Sequence, residues 1–442
     1  MLNRFELTGA LTLLVGALLA CGGGGANENQ HGVGDEPGGV ALGFGDIAVA
    51  PVGNYVLFRR GDGLAVGDVD SGKVSGLPVS SPERLAFSKQ RPVVYVGSSA
   101  SDEILAVDVN DRRVLWHTAV SDTDSAKTRL MSSKDDRFVV AAQLQDVEIL
   151  DAQTGKELGS FDFPQALVDV QILPDDQRAI VVELNEWDGD APSTRVTILN
   201  LETQAKTTIT VPNCADRLAV SGDATRALLA PTTCQKDPIS VIDLSPGKEG
   251  FDHNLPGFGP VALSPDGTTA VAFLDRDAVD LSLFDDPSQA PTSSAERYHL
   301  MLIDTATLKY EFAEAGSKLP RFAITPNGNV LLVDSAYVES EGARLFDVTS
   351  RTFHHIQGPQ ITLDNFVISS DSKHAYVLQS LLYDLNVDDA QTSEIETGFE
   401  AKNINIAADD SALFLRKSDH EICIFDLATR SCGRSFVVTQ AP

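Results

Sequence analysis

The chain has 442 residues, enough for two or three average domains or for one large all-β fold. Hydrophobic residues make up 43% and charged residues 22%, which excludes general disorder. Asp and Glu number 63 against 34 Lys and Arg, and the resulting net charge of −29 repels phosphate backbones, so nucleic acid is not an expected partner.

At the amino terminus, "MLNRFELTGALTLLVGALLACGGGG" carries one early cation, Arg4, then an apolar run from Leu7 to Ala20, then Cys21. That run is short for a membrane span and suits a signal-peptide core. Its ending, "LLAC", resembles the bacterial lipobox, where small residues before a cysteine permit cleavage and the cysteine thiol receives a diacylglycerol. The resemblance implies a signal peptide over 1–20, a lipidated Cys21 and a protein held at the bacterial cell envelope outside the cytoplasm. An ordinary cleaved signal is the alternative. Residues 21–43 are Gly-rich and polar and read as a flexible tether. Removing residues 1–20 takes away only Arg4 and Glu6, so the mature chain keeps the same net charge.

From residue 44 to 440 a phrase of the type "LDAQTGK" returns. Aligned on its acidic or amide residue, it falls at Asp68, Asp108, Asp151, Asn200, Asp243, Asp304, Asp347, Asp384 and Asp426, with spacings of 40, 43, 49, 43, 61, 43, 37 and 42. A period in the forties is the signature of a propeller or solenoid. A second echo, "SKDDR", "SGDAT", "SPDGT", "SSDSK", sits between short β-branched runs and predicts a tight hairpin. Each unit therefore reads strand, hairpin, strand, loop, strand, turn, strand. The apolar runs are too short, and too rich in Val, Ile and Leu, for helical repeats. The expectation is an all-β chain forming a single β-propeller of four-stranded blades, with nine units counted and eight or nine blades. The stretch "RPVVYVGSSASDEILAVDVNDRRVL" resembles the YVTN-type propeller repeat, and "SPDG" is similar to the inner turn of WD-type blades. The phrase itself is read as a structural turn whose carboxylate accepts backbone N–H groups.

Besides Cys21 there are four cysteines, and a chain leaving the cytoplasm can oxidise them. Cys423 and Cys432 flank the last turn and read as directly opposed across the third and fourth strands of the final unit. Cys214 and Cys234 lie at the outer ends of the "SGDAT" hairpin. The expected bridges are Cys423–Cys432 and Cys214–Cys234, preferred over metal binding because neither pair has Cys-x-x-Cys spacing. The eight histidines are scattered, and there is no HExxH, GxSxG or Walker-type loop, so no catalytic residue, metal ligand or cofactor site is assigned.

The inner loops between second and third strands are short except in units four to seven, where 185–195, 231–238, 275–299 and 335–343 are lengthened. Because those units are consecutive, the loops form one rim. Its acidic residues are Glu186, Asp188, Asp190, Asp275, Asp277, Asp280, Glu339 and Glu341, read as a solvated acidic surface since neither "DRDAVD" nor "WDGDAP" matches a calcium loop. Trp187, Tyr298 and Tyr337 are its candidate anchors, as aromatic side chains combine large contact area with a polar handle. Two functions stay open. One is a monomeric, non-catalytic envelope scaffold that binds a protein or peptide, with a basic one favoured by the carboxylates. The other is a hydrolase resembling propeller lactonases, which needs a His or carboxylate cluster at the channel mouth.

Overall fold

In the computed structural model the described residues are 40–41, 47–120, 129–183, 186–188, 191–231, 237–264, 266–278, 280–284, 286, 288, 290–291, 296–316, 321–333, 343–356, 365–418 and 421–437. Among them the strands form nine antiparallel sheets in chain order. Blade 1 spans residues 47–80, blade 2 82–119, blade 3 129–162, blade 4 167–211, blade 5 217–255, blade 6 258–316, blade 7 321–355, blade 8 366–395 and blade 9 404–437. Each has the four-strand meander the repeat predicts, and the nine counted units are nine blades.

Burial is greatest in the second strands and falls toward the outer edge of the blades, and the residue types follow it. Second strands such as Val93–Ser98 and Arg178–Glu183 are buried at every position, so they read as near-continuous apolar runs. Fourth strands such as Glu157–Asp162 and Gln391–Ile395 are half exposed and polar. The core lies between blades: nine apolar clusters are each shared by two neighbours, beginning with Leu57 and Leu85 between blades 1 and 2. The ninth joins Phe58 and Ala65 of blade 1 to Phe414 and Phe436 of blade 9 and closes the ring. No strand is exchanged there, since all four strands of each end blade come from one continuous segment. Closure rests on packing and on side-chain hydrogen bonds. The chain is a β-propeller.

Both recurrent turns behave as their residues dictate. In the hairpin between first and second strands, a carboxylate two residues after the Ser folds back: Asp223 accepts from Ser221 Oγ at 2.7 Å and from Thr225 N at 3.0 Å, and Asp266 and Asp371 repeat this. The glycines of two such turns pack backbone to backbone. A Cβ on Gly267 would lie 1.9 Å from Gly222 N, and Gly267 has φ +68°, so only glycine fits. In the turn between third and fourth strands, Asp151 Oδ1 accepts from Gln153 N and Thr154 N at 3.0 and 2.8 Å. Asp108, Asn200, Asp304 and Asp347 do the same.

Unit eight departs from the predicted alignment. Its turn acceptor is Asn386, which takes the N–H groups of Asp388 and Asp389. Asp384 lies two residues earlier in the strand, where it is buried and bonds His374 Nδ1 at 2.8 Å and Arg430 of blade 9 at 3.0 Å. A carboxylate and an amide are equivalent acceptors in such a turn, so the repeat could not distinguish them by type.

The Cys423–Cys432 bridge is present, with Cα atoms 5.8 Å apart. The two cysteines are diagonal rather than directly opposed: the turn closes on Asp426↔Ser431, which puts Cys432 opposite Phe425, and a bulge after Ile424 moves the partner of Cys423 one place further, to Ser435. Cys214 is also disulfide-bonded, and its expected partner Cys234 lies outside the described residues.

Candidate functional site

First strands of neighbouring blades pack on one another around most of the ring, which makes them its inner wall. Each runs from the face that carries the blade-to-blade connections to the face that carries the tight turns. The lengthened loops fall on the first of these, hereafter the rim face.

In blade 4 the lengthened segment is itself a hairpin rather than a loop. Glu186–Asp188 pairs with the start of the long strand Ala191–Asn200, in the register Glu186↔Ser193, Trp187↔Pro192 and Asp188↔Ala191. It extends the third strand past the sheet. Asp190, Tyr337, Glu339 and Glu341, with Cys21, lie outside the described residues.

The blade 6 segment builds a small core of its own. Phe284 and Ala290 are buried with Leu274, and the Phe284 ring stands 6.0 Å from both Tyr310 and Phe312 of that blade's fourth strand. A short 3₁₀ turn, Leu281–Leu283, precedes it, and Asp280 caps the turn by accepting from Ser282 N at 2.9 Å. The loop is therefore docked on the blade. Leu281, in the 3₁₀ turn, is exposed to solvent.

The expected solvated acidic surface is largely paired where it is described. Asp275 is buried, and Arg297 grips it with two nearly parallel N–H groups, Nε to Oδ1 at 3.0 Å and the other guanidinium nitrogen to Oδ2 at 2.6 Å. Burial alone would raise the Asp275 carboxyl, but the Arg297 hydrogen bonds and the Asp277 N–H outweigh it and hold the carboxyl below its usual range. Asp277 is paired with Arg276 at 3.0 Å, and the Arg297 guanidinium lies 5.0 Å over the half-buried Tyr298 ring. The "DRDAVD" carboxylates thus turn to arginines and backbone rather than to a shared centre. Among the described residues no group of three or more His, Cys, Asp or Glu side chains is placed to hold a metal ion.

Two of the lengthened segments meet. A shallow cleft between blades 5 and 6 is lined by Asp237 and Pro238 from one and by Leu274, Asp275 and Leu283 from the other, floored by Gly257 at the blade junction. A Cβ on Gly257 would press on Ile239 and Met301, and its φ is +133°. Asp237 is held by Cys214 N–H at 2.8 Å, which couples that wall to the oxidised cysteine. Sequence reasoning missed Arg297, Phe284 and Leu281. The cation–aromatic pair "RY" ending the insertion was the available signal for the first.

No family model matches this chain, and no curated protein is similar to it in sequence. Solved structures are similar to it in fold. A crystal structure of a eukaryotic initiation factor matches with a TM-score of 0.51 and 9% identity, covering 79% of this chain and 87% of that one. The dihydro-heme d1 dehydrogenase NirN matches with a TM-score of 0.44 and 17% identity over 71% and 66% of the two chains. The hydrazine synthase of Kuenenia stuttgartiensis matches with 0.39 and 17% over 68% and 95%. Identities this low speak to fold alone.

Proposed function

We propose that this protein is an envelope-anchored, non-catalytic binding scaffold that takes a protein or peptide partner on its rim face. The observation that carries this reading is the meeting of two lengthened segments in the cleft between blades 5 and 6. Insertions that build their own core and capped turn are ordered recognition elements rather than slack. Because Arg297 and Arg276 neutralise Asp275 and Asp277, contact there is dominated by Tyr298, the exposed Leu281 and the cleft walls, with charge playing the smaller part. Anchoring comes from the "LLAC" ending at Cys21 and the Gly-rich tether that follows.

The test has two arms. Mass spectrometry of the native protein should find a diacylglyceryl adduct on Cys21, and Cys21→Ser should release the protein from membranes; an unmodified, soluble mature chain overturns the anchor. Cross-linking in envelope fractions should then capture a partner with the intact chain and lose it with the combined Trp187→Ala, Leu281→Asp and Tyr298→Ala variant. Equal capture by both chains overturns the rim.

A further inference from the structure

Ahead of blade 1 the chain makes one more strand, Val40–Ala41, and it pairs not with blade 1 but with Pro82–Phe87, the first strand of blade 2. Pro82–Phe87 already uses its outer edge to bond Val93–Ser98, so the added strand occupies its inner edge, on the channel side of the ring. The register is antiparallel, Val40↔Leu85 and Ala41↔Arg84. Since Pro82–Phe87 runs from the rim face to the turn face, the chain at residues 40–41 runs the opposite way. It comes from the turn face and heads for the rim face.

We infer that the chain enters the propeller at Val40–Ala41, on the channel side and coming from the turn face, so that a membrane holding Cys21 faces the tight turns and the long-loop rim points away from it. This rests on the reading of Cys21 as the anchor. Eighteen residues, 22–39, separate Cys21 from Val40, and fully extended they reach about 60 Å. The channel side of a six-residue strand is only about 20 Å deep, so the tether is long enough to leave the channel and still reach a bilayer. The pairing also covers an inner edge that would otherwise present unpaired N–H and C=O groups, the usual site for capture of a foreign strand. A partner on the rim then approaches from the side opposite the membrane.

The experiment uses the full-length chain in liposomes. In one arm, Ala41→Cys and Arg84→Cys are combined; the paired positions should oxidise to a disulfide in the folded protein, whereas failure to cross-link removes the channel entry. Hydrogen exchange supplies a control that does not depend on cysteine geometry: Val40→Pro with Ala41→Pro should raise exchange across 82–87, and unchanged exchange contradicts the pairing. In the other arm, a donor fluorophore is placed on Lys248→Cys at an exposed turn or on Asp280→Cys at the rim, with an acceptor on the lipid headgroups. Energy transfer should be stronger from position 248, and stronger transfer from 280 reverses the orientation. A chain that does not float with the vesicles sinks only the lipid anchor, because the cross-link reads the channel entry without it.

Discussion

Asn405 of the last blade donates from Nδ2 to the backbone carbonyl of Ile47 in the first, 2.8 Å away, while its own Oδ1 accepts from Ile406 N. These residues are 358 positions apart in sequence, and both are buried. In a ring without strand exchange this bond does part of what a shared sheet does elsewhere. Asn405→Ala leaves the Ile47 carbonyl unsatisfied and should cost about 1–3 kcal/mol. Chemical denaturation should show a lowered midpoint with an unchanged slope; an unshifted midpoint would leave closure to apolar packing alone.

Phe436 supplies that packing, lying against Phe58 and so close to Gly67 that a Cβ there would sit 2.9 Å from its ring. Phe436→Ala should cost about 3–5 kcal/mol, and Gly67→Ala should destabilise by forcing the ring aside. Thermal melts of both variants decide this, and wild-type stability for Gly67→Ala would mean that the seam yields freely.

The Cys423–Cys432 bridge closes a nine-residue separation in the blade that forms this seam. Replacing both cysteines with alanine should lower stability by about 2–3 kcal/mol in the chain-entropy picture. Reduction also opens the Cys214 bridge, so the wild-type melt should move further under reducing conditions than that of the double variant, by about the contribution of Cys423–Cys432.

Phe284 pins the blade 6 insertion onto Tyr310 and Phe312. Phe284→Ala should release that loop, so limited proteolysis should cut near residues 276–297 much faster than in the wild type while the global melt moves less. Cleavage elsewhere first would show that the loop is held by other contacts.

His299 is buried in the third strand of blade 6, and neither ring nitrogen makes a hydrogen bond of good geometry. Burial lowers its pKa, with Glu314 opposing and Arg276 reinforcing the effect. The unfolded chain therefore binds a proton that the folded chain refuses. The contribution is favourable above the unfolded value of about 6.5 and is lost as pH falls through it. His299→Leu should flatten the stability profile between about pH 7 and pH 5, and an unchanged profile would place the titration in another group.

Acid should act on the recurrent turns as well. Backbone N–H groups, from Thr307 on Asp304 and from Ser350 on Asp347, hold both carboxyls below their usual range. Their stabilisation is present above the unfolded carboxylate value of about 3.9 and is lost as pH falls below it. Asp304→Asn keeps an acceptor and should reduce acid sensitivity, which an acid titration of the two chains can read.

The repeat phrase determined most of the architecture because each copy specifies its own turn. A short polar side chain that can accept the N–H groups two and three residues ahead makes the same bend wherever it occurs, as Asp151 and Asp304 show. Period-two and continuous apolar runs gave the strands, and the long-loop units could be located because insertions interrupt the period. The Cys423–Cys432 pairing followed from proximity along the chain, although the register closing on Asp426↔Ser431 that makes it diagonal did not.

What the sequence left undecided depends on residues far apart in the chain or on the choice between equivalent groups. Asp384 and Asn386 are both competent turn acceptors, and Asp384 stays in the strand where it meets His374 of its own blade and Arg430 of the neighbouring one. Asp275 reads as one more surface acid until the blade brings Arg297, 22 residues later, onto it. The strand at Val40–Ala41 has no sequence signature, because pairing along a strand edge is made by backbone groups that every residue carries. Local turn chemistry is written in the residue types; partner choice across the ring is settled only when the fold brings distant groups together.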